Sequence, residues 1–341
     1  MTWAIVLLAT MAAGCADGGA SITVDPVADA QSPETGPSAT STGAPPGTTA
    51  TPTVTATETP APSATACAEP RYQRTVEPPP LPTWTPVSLA DDPELLAVID
   101  ETLGPLREHV SLVVTDLTHG RTATIAPDRV WYAASLYKLP LLFEAAWQWD
   151  QGVLNPDEVV VLTCAYTAED LGTLAPLGLK TGSEVSVADA VRYMTVASDN
   201  ALAHLLSDLL GARNVDAHLA AIGARDTTVN DAALPTTARD VALLLQAIGT
   251  DYPSPDAATA MFELLSEQWI RTRLPRGVPA DAVVGNKTGD YAGVSHDAAI
   301  VRASFGTYVL VMLTDGQVDE EVFGEVSAAI YRYLASSVPN E

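Results

Sequence analysis

The sequence predicts an α+β domain: one antiparallel five-stranded sheet built from both ends of the domain, with flanking helices and an inserted helical lobe. Two observations lead there. Strand-like runs occur in two groups, around residues 110–125 and 283–313, and short turns join the strands within each group. The stretch between the groups reads mainly as helices, so the order is helix, two strands, many helices, three strands, helix.

Each element has its own local reason. Asp92-Pro93 is a helix start, and Leu95, Leu96, Ile99, Leu103 and Leu106 follow on one face. Gly104-Pro105 limits or kinks that helix. Residues 110–117 and 121–125 read as strands around the turn Thr118-His119-Gly120. Helical stretches follow at 134–150, 188–195, 201–210 and 238–248. Residues 283–288, 297–302 and 307–313 are three short strands. From 320 to 334, Val322, Val326, Ile330 and Tyr333 share one helical face.

Three segments are expected. Residues 1–15 carry an apolar run too short to span a bilayer but suited to a signal peptide, ending in small residues and Cys15. That ending resembles a bacterial lipoprotein cleavage site, so Cys15 is the expected lipid anchor and the protein is expected at the extracellular face of the cell membrane, with secretion the alternative. Residues 16–85 are dominated by Thr, Ala, Pro, Ser and Gly and read as a disordered tether. Residues 86–341 form the folded domain. With Cys15 set aside, Cys67 and Cys164 remain, and an even pair in an exported chain permits a disulfide.

The charge balance is 17 basic against 42 acidic side chains, a net charge of −25. Such a surface repels phosphate backbones, so nucleic acid is not expected as a partner. It keeps a chain soluble, and a monomer is expected. Five His residues and no C-x-x-C offer no zinc pattern, and no metal or cofactor is expected. Only three lysines occur, Lys138, Lys180 and Lys287. Lysine can lose its proton when buried and so serve as a base, which arginine cannot.

Two of these lysines lie in motifs that carry chemistry. Ser135-Leu136-Tyr137-Lys138 opens the helix after the hairpin, with Ser135 and Lys138 one turn apart on one face. Serine becomes a nucleophile when a neighbouring base takes its proton, and a buried lysine can be that base. Ser198-Asp199-Asn200 begins another helix, where helix capping is a competing reading. Lys287-Thr288-Gly289 ends a strand, where glycine permits close approach of a ligand. A second Lys180-Thr181-Gly182 sits in a polar loop and reads as a decoy.

The order of S-x-x-K, S-D-N and K-T-G resembles the signature of class A β-lactamases and penicillin-binding proteins. The flanking residues are similar as well, from Tyr132 to Pro140, from Val187 to Asn200, and Thr236-Thr237-Ala238-Arg239-Asp240. The resemblance implies that Ser135 is acylated by a β-lactam or a peptidoglycan stem peptide, with Lys138 a candidate base. It implies that Ser198 passes a proton to the leaving nitrogen and Asn200 holds substrate and Lys138. Lys287 and Thr288 would bind the substrate carboxylate, beside Gly289, and the oxyanion would lie on the N–H groups of Ser135 and Asp290.

Two departures bear on the substrate and on turnover. The deacylating Glu of the family belongs to an E-x-x-L-N motif, but residues 222–236 contain no Glu. Asp226, in Asp226-Thr-Thr-Val-Asn230, is the nearest look-alike and Asp231 the other option, with a turn or capping role competing for both. Asp290 stands where the family usually has a small residue, and its charge would either weaken binding of anionic drugs or favour a substrate with a nearby positive charge. The leading expectation is a β-lactam-reactive hydrolase that deacylates slowly. The alternatives are a D-Ala-D-Ala carboxypeptidase or transpeptidase, and a catalytically weak peptidoglycan-binding module.

Overall fold

A computed structural model describes Tyr72 and residues 77–337. Along the chain its first half holds β1 (Ala90–Asp91), α1 (Pro93–Leu103), β2 (Val110–Asp116), β3 (Arg121–Ile125), β4 (Trp131–Tyr132), α2 (Lys138–Asp150), β5 (Val159–Val161), α3 (Cys164–Thr167) and β6 (Glu184–Ser186). There follow α4 (Val187–Val196), α5 (Asn200–Leu210), α6 (Ala212–Ala221), β7 (Pro235–Thr236), α7 (Ala238–Gly249) and α8 (Pro255–Ser266). The last group is β8 (Val283–Tyr291), β9 (Val294–Ala303), β10 (Gly306–Asp315) and α9 (Glu320–Ser336).

Asp92 shows how one residue ties the first helix of the described residues to the last. Its carboxylate accepts the Leu95 N–H at 2.9 Å, capping α1, whose first residue is Pro93. It also accepts the Tyr333 hydroxyl of α9 at 2.9 and 3.1 Å. Between these helices and the sheet lies a core that includes Leu95, Ile99, Leu112, Leu310, Phe323 and Ile330. Each such side chain contributes roughly 1.5–3 kcal/mol by leaving water.

The main sheet runs β1-β3-β2-β10-β9-β8. Its five long strands pair antiparallel, as expected. The sixth, β1, was not expected; it lies parallel to β3. Two residues carry no periodic signal, and backbone bonds from Ala90 N–H to Gly120 and from Asp92 N–H to Thr122, both 2.8 Å, hold them. Every residue of β2 is buried because α7 packs on the face opposite α1 and α9. At the far edge, β8 leaves one side of its backbone toward the helical lobe.

The lobe is built around α2, of which 11 residues are buried, including Glu144 and Gln148. Glu144 meets His218 of α6 at 2.5 Å and Gln148 at 2.6 Å, so both its oxygens have hydrogen-bond partners inside the lobe. Helices α6 and α8 were not expected. Pro253-Ser254-Pro255 reads as a breaker, yet Ser254 caps α8 by accepting the Ala257 N–H and Pro255 takes its first turn. Gly211, at φ 81, ends α5 and starts α6 without a loop to mark them as two.

Part of the segment assigned to the tether by composition rests on the lobe. Trp147 Nε1 donates to the Pro79 carbonyl at 3.0 Å, and the Tyr252 hydroxyl to that of Pro82 at 2.7 Å. Cys15 and Cys67 lie outside the described residues. Cys164 opens α3 and is partly buried.

Replacing Asp92 with Ala removes the α1 cap and both oxygens that accept from Tyr333. The expected cost is about 2 kcal/mol, read as a fall in Tm of roughly 4–8 °C for a domain of this size. An unchanged Tm in a calorimetric scan would contradict the role given to Asp92.

Candidate active site

The segment carrying Ser135 is not the start of the α-helix. Residues Ala134–Tyr137 form a 3₁₀ turn, and α2 begins at Lys138. In a 3₁₀ turn residues three apart eclipse, and Lys138 Nζ stands 3.0 Å from Ser135 Oγ. Upstream, Ala133 N–H donates to Leu234 O at 2.8 Å, extending the β4–β7 ribbon. From the other side β8 comes close. A Cβ added to Gly289 would lie 2.9 Å from Ala133 O and 3.1 Å from Leu136 Cγ. Glycine at that position therefore lets the strand press on the Ser135 turn.

The two readings of Ser198-Asp199-Asn200 divide among its residues. Asp199, fully buried, caps α5 by accepting the Leu202 N–H at 2.7 Å and accepts the Thr173 hydroxyl at 2.5 Å. Ser198 and Asn200 face Lys138. Ser198 sits at φ 58, in the left-handed region. A side chain there costs on the order of 1–3 kcal/mol and persists only where its surroundings hold it. Here the turn brings both oxygens of Ser198 to one amine: Lys138 Nζ is 2.5 Å from Ser198 O and 3.2 Å from its Oγ. Asn200 Oδ1 accepts from the same Nζ at 2.6 Å.

Lys287 completes the cluster from β8. Its Nζ donates to Ser198 Oγ at 2.8 Å and to Thr288 O at 2.9 Å. Both lysines are 1% exposed. Burial, then the neighbouring Lys287 charge, pulls the Lys138 pKa well below the ordinary lysine value, against the opposing pull of Asp199. Burial lowers Lys287 to about 7, while Asp297 and Asp290 oppose that fall. A neutral Lys138 has two N–H donors and one lone pair. Ser198 O and Asn200 Oδ1 take the donors, so the lone pair is left for the hydroxyl proton of Ser135.

Asp290 differs from expectation. Its carboxylate is not an open charge beside Lys287 and Thr288, because Arg273 holds both oxygens, one of them at 3.1 Å. Arg273 is 5% exposed and also donates to Glu320 Oε1 at 3.0 and 3.1 Å and to His296 O at 2.9 Å. Nothing near Asp290 in sequence announces this partner, which arrives from a turn before β8. The loop at 222–236 is tied down from two sides. Asp216 accepts from Thr228 Oγ1 (2.5 Å) and Val229 N–H (2.9 Å), and Asp240 accepts from Thr227 Oγ1 (2.9 Å) and Asp226 N–H (2.7 Å). The Asp226 side chain is exposed. Asp231 is exposed too and accepts the Ala233 N–H at 2.9 Å within its own turn. Lys180 lies exposed in its loop. Among the described residues no group of three or more His, Cys, Asp or Glu is arranged to hold a metal ion.

The fold and motif order can be set beside known proteins. A family model described as the beta-lactamase enzyme family matches residues 95–334. The solved structure of PBP-A is 24% identical, covers 74% of this chain and 100% of its own, and superposes with a TM-score of 0.67. A beta-lactamase from Sphaerobacter thermophilus is 26% identical over 72% of this chain and 98% of its own, with a TM-score of 0.64. A class A beta-lactamase variant of the last common ancestor of Gram-negative bacteria reaches 23% and 0.63 over 70% of this chain and 100% of its own. No curated protein sequence matches the chain. The family match spans α1 to α9 and contains every residue of the Lys138 cluster, and so this chain belongs to the beta-lactamase enzyme family.

Proposed function

We propose that this protein is a class A-like serine hydrolase whose Ser135 is acylated by β-lactams or by related peptidoglycan amides. The observation that carries the reading is the single buried amine of Lys138, within hydrogen-bond distance of Ser135 Oγ, Ser198 and Asn200 Oδ1. Neutral Lys138 takes the Ser135 proton as Oγ attacks the amide carbonyl carbon. The developing oxyanion is stabilised by the N–H groups of Ser135 and Asp290, donors of a kind worth several kcal/mol when preorganised. The C–N bond then breaks, and the nitrogen takes a proton from Ser198 Oγ, which regains one from Lys138, the holder of the former Ser135 proton. Protonated Lys287, with Thr288, holds the substrate carboxylate; a bound anion raises its pKa and keeps it charged. A variant of the similar PBP-A has been solved as an acyl-enzyme complex with penicillin G, which favours β-lactams as acylating agents here.

Export with a lipid on Cys15 and a Cys67–Cys164 disulfide belong to the same proposal. The ring of Tyr72 stacked on Tyr166 at 6.1 Å supports the pairing, since these tyrosines lie close in sequence to the two cysteines.

A fluorescent penicillin is expected to label the protein covalently, and Ser135→Ala is expected to remove the label. Equal labelling of both proteins by intact mass would rule Ser135 out.

Hydrolysis of the adduct is expected to be slow. It needs a base aimed at a water on the acyl carbon, and the loop at 222–236 offers only the exposed Asp226 and Asp231. A positioned base is worth about 10²–10⁴-fold, or roughly 3–5 kcal/mol of barrier. A chromogenic cephalosporin should therefore give a burst near one equivalent and then a slow steady state. Rapid turnover without a burst, abolished in Asp226→Asn, would make Asp226 a working base instead.

A further inference from the structure

His296 lies near the start of β9, fully buried, where the sheet meets the Ser135 turn. Its two ring nitrogens have different partners. Thr314 N–H points at Nδ1 at 3.2 Å, and the Tyr132 carbonyl lies 2.9 Å from Nε2. A backbone N–H can only donate and a carbonyl can only accept. The partners therefore assign a neutral ring with its proton on Nε2, donated to Tyr132. Burial, the largest influence, lowers the pKa of this ring, in keeping with that neutral form.

The same residue reaches the other half of the site. In the β8–β9 register His296 is the partner of Gly289, the last residue of Lys287-Thr288-Gly289. Its carbonyl accepts from Arg273, which clamps Asp290. Its ring also meets Trp131 edge-on at 5.7 Å, and Trp131 Nε1 donates to Ser111 Oγ of β2 at 2.9 Å. Just upstream of Ser135, the backbone is thus tied at Tyr132 O to the strand registered against Gly289, beside the Trp131 tie to β2.

We propose that His296 is a positioning residue: its Nε2–H holds Tyr132 O, and so sets Ser135 against the Lys287-Thr288-Gly289 strand. The role rests on Ser135 being the acylated residue. A shift of about 1 Å in a reacting group can cost about 10²-fold in rate, so loss of the tie should be read chiefly in the acylation step.

Two substitutions separate this from a merely structural role. His296→Asn keeps an acceptor near the position of Nδ1 for Thr314 but ends short of Tyr132. His296→Gln carries an N–H donor out to a reach like that of Nε2. The measurements are the second-order rate of labelling by a fluorescent penicillin and amide hydrogen exchange across residues 131–137, with β10 as internal reference. We expect Asn to slow labelling about 10- to 100-fold and to speed exchange in 131–137 alone, and Gln to restore the rate to within about threefold. Labelling and exchange unchanged in His296→Asn, or a Gln variant no faster than Asn, would overturn the role. If the wild-type protein takes no label, the Ser135 reading fails by itself. Exchange in 131–137 then decides: faster in Asn than in Gln supports the tie, and equal exchange overturns it.

Discussion

A lysine that is 1% exposed must find in protein atoms what it gives up in water, and Lys138 finds it in three segments far apart in sequence. The 3₁₀ turn supplies Ser135, the left-handed Ser198 supplies two oxygens, and the first residue of α5 supplies Asn200. Much of the architecture serves this meeting. α2 is buried nearly all round, and its first residue, Lys138, is kept from water with the rest of the helix. Asp199 caps α5 and grips Thr173, which fixes the turn at Ser198. Burial is also what gives the amine its chemistry, since it disfavours the charged form and leaves a lone pair toward Ser135.

The edge strand β8 brings the second cation, and its surroundings are electrostatically crowded. Lys287 lies 2.8 Å from Ser198 Oγ and depresses Lys138 further. Behind the strand, Asp297 is fully buried, and desolvation raises its pKa to about 7 although Asn286 Nδ2 and two backbone N–H groups bond to it. Arg273 neutralises Asp290 and leans on Glu320. The strand that presses on Ser135 is thus lined with compensated charges, and Gly289 lacks the side chain that would keep it away from the Ser135 turn.

Much of this was legible in the sequence, and the limits have physical causes. Strands with apolar runs, Asp92-Pro93 and the three motifs are local signals, and the structure brings Ser135, Lys138, Ser198, Asn200 and Lys287 together. What local reading missed was set by distant partners. β1 exists only because β3 offers it backbone groups. The Asp290 carboxylate is decided by Arg273, and His296 by Tyr132 and Thr314. A 3₁₀ turn and an α-helix leave the same i, i+3 mark, so the start of α2 could not be read from spacing. Helix α6 was hidden because a single glycine separates it from α5.

Activation of Ser135 requires that Lys138 be neutral where an ordinary lysine is charged. The chain has only three lysines, so labelling their Nζ atoms with ¹⁵N gives a spectrum of three resonances, assigned with Lys180→Arg and Lys287→Arg. Followed against pH, the Lys138 resonance is expected to titrate well below about 10.4, the value of a free lysine, with Lys287 changing near 7. Acylation should then rise with pH as Lys138 loses its proton and fall as Lys287 loses its own. A Lys138 resonance that titrates at about 10.4, with Ser135 still acylated at pH 7, would contradict the account.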